Sequence, residues 1–115
     1  MSVNTILKKL WALPGVSGRE DAVRSYILQA LAASPVEMEV TVDRLGNVIA
    51  RLKGREPAPY RALFAAHMDE VGLIVTHIDN DGYLKFATVG GIDKRVLCGR
   101  SVIIGNGVHG VIGAK

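Results

Sequence analysis

Hydrophobic residues recur with a helical period near the start of the chain. Leu7, Leu10 and Trp11 lie at positions i, i+3 and i+4, with two lysines between the first and second of them. This spacing predicts an amphipathic helix, because residues three and four apart share one face of a helix. The Pro-Gly pair at 14–15 cannot continue the helix and predicts where it ends.

A second helix is predicted shortly after this break. Residues 17–20 read SGRE, an S-x-x-E capping box. In such a box the Ser17 hydroxyl accepts from the Glu20 backbone N–H, and the Glu20 side chain reaches back to accept from the Ser17 backbone N–H. The segment that follows keeps one face apolar through Ala22, Val23, Tyr26, Ile27, Ala30 and Leu31. Ser34 and Pro35 predict its end.

The pattern then changes to strands. Residues 36–42 alternate apolar and polar positions, residues 43–47 (DRLGN) supply turn formers, and residues 48–53 resume as a strand, which predicts a hairpin. After Glu70 the chain consists of short β-prone runs separated by glycine-rich turns, which predicts antiparallel, meander-like or barrel-like structure without a long helix. A domain boundary is expected near Gly72, between parts 1–71 and 72–115.

The most apolar strand-like run leads into a cluster of polar residues. Residues 63–66 (LFAA) are apolar without alternation, the pattern of a strand covered on both faces in an α/β sheet. His67, Asp69 and Glu70 follow, and sites in open α/β sheets lie outside the carboxyl ends of strands. Because side chains alternate along a strand, His67 and Asp69 should project to one side, and Met68 and Glu70 to the other.

The His-x-Asp pair suits a metal site. A neutral imidazole binds transition metals, and a carboxylate beside it can fix its tautomer, raise its basicity or bind the metal itself. The competing interpretation is that both are ordinary hydrogen-bonding groups, the commoner role at a strand end. His77 and His109 lie inside apolar strand patterns and are interpreted as structural or interface residues. Asp69 and Glu70 should face apart, which argues against the paired acids of a glycosidase.

Composition excludes several other classes of function. The 115 residues carry a net charge of +3 with no basic run longer than two lysines and few aromatic residues, so no nucleic-acid partner is expected. There is no run of membrane-spanning length and no secretory leader, which predicts a cytoplasmic protein without a membrane partner. Cys98 is the only cysteine, so no disulfide can form within the chain. We expect it to be a small buried residue.

Four segments together resemble one family. They are LPGVSGRED after the first helix, DRLGNVIA in the hairpin, AHMDEVG after the apolar run, and VGGIDKRVLCGRSVII in the β-rich part. In this order they resemble the glutamyl aminopeptidase and deblocking aminopeptidase family of dinuclear metallopeptidases, some of which have carried the name endoglucanase. The resemblance implies a three-layer α/β catalytic domain interrupted by a barrel-like β dimerisation domain. It also implies a cytoplasmic enzyme that removes N-terminal residues from peptides and assembles into dimers and dodecamers.

The resemblance assigns roles to two residues. His67 matches a metal ligand, and Asp69 matches the catalytic-site acid that orients this ligand and tunes the metal-bound water, in a site holding two divalent ions, zinc or cobalt. Glu70 matches the motif without a catalytic role. The family's bridging aspartate, its Glu-Glu pair with the general base, a further carboxylate ligand and a late histidine are expected beyond Lys115. The chain is therefore interpreted as an N-terminal part that is inactive alone. The alternative is a non-catalytic, self-associating interaction module.

Overall fold

Two helices form where the hydrophobic spacing predicts them. The computed structural model describes residues 2–54 and 60–114. Helix α1 spans Val3–Trp11, and helix α2 spans Asp21–Ala32. The Ser2 side chain accepts a hydrogen bond from the Thr5 backbone N–H at 3.3 Å, so it caps one of the free amides at the start of α1.

The predicted capping box is wrong. Helix α2 begins after Glu20, whose side chain makes no capping bond to the helix and instead accepts from the Gly18 backbone N–H at 2.6 Å. Gly18 has a φ of +86°, in the left-handed region, and a tight turn joins the Arg19 amide to the Val16 carbonyl at 2.7 Å. This turn places Ser17 outside the first helical turn, where its hydroxyl is available to another partner.

The strands of residues 2–54 and 60–114 pair as three antiparallel hairpins. Strands β1 (Glu39–Val42) and β2 (Val48–Arg51) pair with each other. Strands β3 (Gly72–Ile78) and β4 (Leu84–Val89) pair likewise, as do β5 (Ser101–Ile104) and β6 (Val108–Val111). These hairpins confirm the predicted 36–53 hairpin, with shorter strands, and the antiparallel β-structure after residue 70. The described helical structure in residues 71–114 is a single 3-10 turn at Lys94–Val96.

The chain divides into two compact units, one ending at Glu70 and the other beginning at Val71. The first contains both α-helices and the β1–β2 hairpin, and the second contains the remaining hairpins. The assignment of parts 1–71 and 72–115 to a catalytic and a dimerisation domain stays a prediction. The helices and small antiparallel sheets are observed directly; the three-layer and barrel-like arrangements also stay predictions.

The predicted covered strand at 63–66 is wrong for the described structure. Residues 60–69 form no strand, and the side chains of Leu63 and Phe64 are 91% and 94% exposed. A strand exists only through hydrogen bonds to a neighbour. Among residues 2–54 and 60–114, the β-type pairing of this region is confined to one parallel bridge between Val16 and Glu70.

Little of the described chain is buried. The buried hydrophobic residues among those described are Val23 and Ile112, each 7% exposed. Cys98 is exposed, so the prediction of a buried cysteine is wrong. It lies in a turn after the 3-10 segment, and turns run over the protein surface. No described helix is long and apolar enough to cross a membrane.

Candidate functional site

The His67 imidazole and the Asp69 carboxylate are in direct contact. His67 Nδ1 lies 2.9 Å from Asp69 Oδ1 and 3.0 Å from the Asp69 carbonyl oxygen. Both of these oxygens only accept hydrogen bonds, so Nδ1 must be the donor. The neutral ring then carries its lone pair on Nε2, the atom that can bind a metal. The His67 side chain is 85% exposed, so the ring is open to a ligand.

Asp69 connects His67 to a residue from the first part of the chain. The Ser17 hydroxyl donates to Asp69 Oδ2 at 2.6 Å. The hydrogen bond from Ser17 and then the contact with His67 lower the pKa of Asp69 below its ordinary value. Asp69 is therefore ionised at neutral pH, with one oxygen bound to the hydroxyl and the other to the imidazole.

Backbone pairing holds residues 15–17 against Glu70. The Glu70 amide donates to the Gly15 carbonyl at 2.7 Å, and the Ser17 amide donates to the Glu70 carbonyl at 3.3 Å. The Gly15 amide also donates to Glu70 Oε1 at 3.1 Å. The loop of residues 15–17, called here the serine loop, is thus fixed next to the His-x-Asp segment by three hydrogen bonds. Glu70 takes part through its backbone and its side chain.

Close packing on Gly15 holds the same loop. A Cβ atom at position 15 would lie 3.0 Å from Val23 Cγ2 and 3.4 Å from the Met68 carbonyl oxygen. These distances leave little space for a side chain between helix α2 and the His-x-Asp segment. Gly15 is buried, as expected for a residue at such a close approach.

The structure brings together His67 and Asp69, on one side as their spacing predicted, and it adds Ser17, which sequence reasoning missed. The S-x-x-E pattern directed Ser17 to a helix cap, and no local signal points to a partner 52 residues away. His77 and His109 lie exposed on β3 and β6. Within residues 2–54 and 60–114, no three His, Cys, Asp or Glu side chains form a group that can hold a metal ion. The pair therefore fits one imidazole ligand with its orienting carboxylate.

Comparison with known proteins identifies relatives of the chain. The M42 glutamyl aminopeptidase family matches residues 46–115. A lysyl aminopeptidase from Pyrococcus furiosus is 42% identical over 98 residues, which are 84% of this chain and 27% of that protein.

Two solved structures resemble the fold. One, described as an endoglucanase from Thermotoga maritima, has a TM-score of 0.85 and 43% identity, covering 95% of this chain and 34% of that one. The other, the dodecameric PhTET1-12s, has a TM-score of 0.82 and 42% identity, covering 100% of this chain and 34% of that one. The chain thus spans about a third of the length of these relatives. From its sequence match and these structural likenesses, the chain belongs to the M42 glutamyl aminopeptidase family.

Proposed function

We propose that this chain contributes the His67–Asp69 part of a metal-dependent aminopeptidase that removes N-terminal residues from peptides. The observation that carries the proposal is the 2.9 Å contact between His67 Nδ1 and Asp69 Oδ1, in a chain of the M42 glutamyl aminopeptidase family. It is supported by relatives named as aminopeptidases, of which the chain spans about a quarter. The activity, substrates and assembly of a whole protein are therefore part of the proposal.

The roles of the two residues follow from their hydrogen bonds. His67 offers Nε2 as a metal ligand, because Nδ1 is engaged by Asp69. Asp69, being ionised, accepts from the ring and holds it in this tautomer. We propose a site for two divalent ions, zinc or cobalt, which when bound would supply a water of lowered pKa and polarise the peptide carbonyl. We propose Asp69 as the catalytic-site carboxylate that orients His67, and His67 as the metal ligand.

Assembly and location belong to the same proposal. A dodecamer among the structural relatives supports a homo-oligomer, and we propose that its building block is a dimer. The cytoplasmic location predicted from the sequence is kept as part of this proposal.

The test compares variants in a protein that carries this chain at the full length of its relatives. We expect His67→Ala to remove one metal per site, because it deletes the ligand. We expect Asp69→Asn to lower kcat more than metal content, because it alters the orientation and basicity of the ring rather than a ligand. His77→Ala is the matched control, since His77 is also an exposed histidine, and it should change neither. Unchanged, chelator-resistant hydrolysis in His67→Ala would contradict the proposal.

For the 115-residue chain alone, we expect no measurable hydrolysis of leucine or glutamate anilides, even with added zinc or cobalt. A catalytic zinc site normally has three protein ligands. The described residues bring together one imidazole and one carboxylate at this place. Chelator-sensitive hydrolysis by the purified short chain would show that other residues, or a second copy of the chain, complete a site.

A second candidate function is a self-associating interaction module without catalysis. It is favoured by exposed apolar side chains, among them Leu63, Phe64 and Ile103. Sedimentation at increasing concentration measures it, and a monomer throughout would contradict it. Glycoside hydrolysis, the activity in the name of the Thermotoga maritima relative, is not proposed. The Asp69 and Glu70 carboxylates are both hydrogen-bonded to the serine loop, rather than arranged as a facing pair of acids.

A further inference from the structure

The Asp69 carboxylate contacts two partners, the Ser17 hydroxyl and the His67 imidazole. Oδ2 accepts from the Ser17 hydroxyl at 2.6 Å, and Oδ1 lies 2.9 Å from His67 Nδ1. A rotation of the carboxylate that broke one contact would also displace the other oxygen. The orientation of the imidazole therefore depends on the hydroxyl as well as on Asp69.

The Ser17 hydroxyl is held in place by the hydrogen bonds of the backbone around it. The serine loop is paired to Glu70 through the Gly15 carbonyl and the Ser17 amide. Gly18 turns the chain immediately after Ser17, and its backbone N–H donates to the Glu20 side chain. Hydrogen bonds thus hold the Ser17 backbone itself and the backbone before and after it. The Ser17 side chain therefore extends from a fixed backbone.

The exposure of His67 makes this restraint important. A buried ring is oriented by the side chains packed around it, whereas the His67 side chain is 85% exposed. Its contacts with Asp69 then supply much of its orientation. Side chains around a metal ligand commonly fix its tautomer and direction in this way.

We propose that Ser17 is a positioning residue, which holds the Asp69 carboxylate in one rotamer and thereby directs His67 Nε2 toward its ligand. The inference rests on the proposed function for its consequence in catalysis. Its structural content, a single Asp69 rotamer that depends on the Ser17 hydroxyl, is measurable on the 115-residue chain without metal.

The decisive comparison is between Ser17→Thr and Ser17→Val. The two replacements have nearly the same shape, but only threonine keeps the hydroxyl. In the 115-residue chain we expect the Hα–Hβ couplings of Asp69, measured by NMR, to indicate one rotamer in the parent and in Ser17→Thr. In Ser17→Val we expect averaged couplings. The ring ¹⁵N shifts of His67 at fixed pH should change from one tautomer to a mixture in Ser17→Val only.

Two further variants separate this effect from general instability. Ser2→Ala removes another serine hydroxyl bond in the same unit and should leave the Asp69 couplings unchanged. Ser17→Ala tests the loop without a β-branched side chain and should average the couplings as Ser17→Val does. The inference would be overturned if Ser17→Thr and Ser17→Val lose the single Asp69 rotamer equally. Unchanged Asp69 couplings in Ser17→Ala would also overturn it.

The failure of this inference is distinguishable from failure of the proposed function. In the protein at the full length of its relatives, Ser17→Val should lower cobalt affinity or kcat by about 10- to 100-fold, with KM for peptide little changed. Hydrolysis that requires His67 but is unaffected by Ser17→Val would overturn the positioning role and leave the proposed function standing. If Ser17→Val loses the single Asp69 rotamer but the protein has no peptidase activity, the proposed function would be overturned and the positioning role would stand.

Discussion

Replacing Gly15 with alanine tests the packing that holds the serine loop against the His-x-Asp segment. The new methyl group would lie 3.0 Å from Val23 Cγ2, whereas carbon atoms pack best at about 3.5–4.0 Å. The Met68 carbonyl oxygen would be 3.4 Å from the same methyl group. Val23 is buried, so it has little room to retreat into.

The loop itself is also prevented from moving away. A shift of Gly15 would lengthen the hydrogen bonds that its amide and carbonyl make with Glu70. The strain must therefore be taken by Val23 or by these bonds, and overpacking of this kind costs about 1–3 kcal/mol. We expect Gly15→Ala to lower the free energy of unfolding of the first unit by about 1–3 kcal/mol.

The assay is amide hydrogen exchange, because it reports on each unit separately. The Glu70 amide donates to the Gly15 carbonyl and should lose protection in Gly15→Ala. Gly54→Ala is the matched control, since its Cβ would meet nothing within 4 Å and its φ lies outside the left-handed region. Alanine at such a position is expected to stabilise by about 0.4–1 kcal/mol.

A double variant identifies the cause of the effect. Val23→Ala removes the methyl group that meets the new Cβ, so Gly15→Ala should cost less in that background. Additive costs would show that Val23 is not the source of the strain. Equal effects of Gly15→Ala and Gly54→Ala would refute the argument that the loop is held by close packing.

Three further outcomes are expected. Ser2→Ala should destabilise helix α1 by about 1 kcal/mol by removing its N-cap, measured as loss of helical circular dichroism. Gly90→Ala should destabilise the second unit by about 1–3 kcal/mol in denaturant unfolding, because φ is +80° and its Cβ would lie 2.8 Å from Val71 Cγ1. The hydrogen bond from the Asn47 side chain, followed by backbone hydrogen bonds, lowers the pKa of Asp43 in the folded state. The Asp43 carboxylate should therefore stabilise the β1–β2 turn above about pH 4, and this stabilisation is lost as the pH falls through the folded pKa. NMR titration should show this acid transition, and Asp43→Asn should abolish it.

Sequence reasoning succeeded where structure is decided locally. The spacing of Leu7, Leu10 and Trp11 depends on one helix alone, and the 43–47 turn depends on five neighbouring residues. Both elements formed as predicted. Alternation also predicted that His67 and Asp69 lie on one side, and their side chains are in contact although the segment is not a strand.

The errors concern interactions between distant segments. The S-x-x-E pattern of residues 17–20 is a valid local signal, but Asp69 competes for the Ser17 hydroxyl from 52 residues away. The apolar run 63–66 has the composition of a covered strand, and coverage depends on partners that its own pattern does not specify. Local patterns thus predicted the helices and hairpins, whereas tertiary contacts decided whether the 63–66 run pairs and how individual side chains are used.

The parallel bridge between Val16 and Glu70 has a consequence for how the site arises during folding. Ser17 and Asp69 lie 52 positions apart in the sequence, and helix α2 and the β1–β2 hairpin lie between them, so their contact forms only after this long loop closes. Any metal affinity measured at His67 then includes the free energy of closing the loop. Closure entropy rises slowly with length, by about 0.6 kcal/mol for each doubling. Residues inserted at the tip of the β1–β2 hairpin should therefore weaken the site only slightly, whereas a chain break between the hairpin and Asp69 should abolish it at low protein concentration.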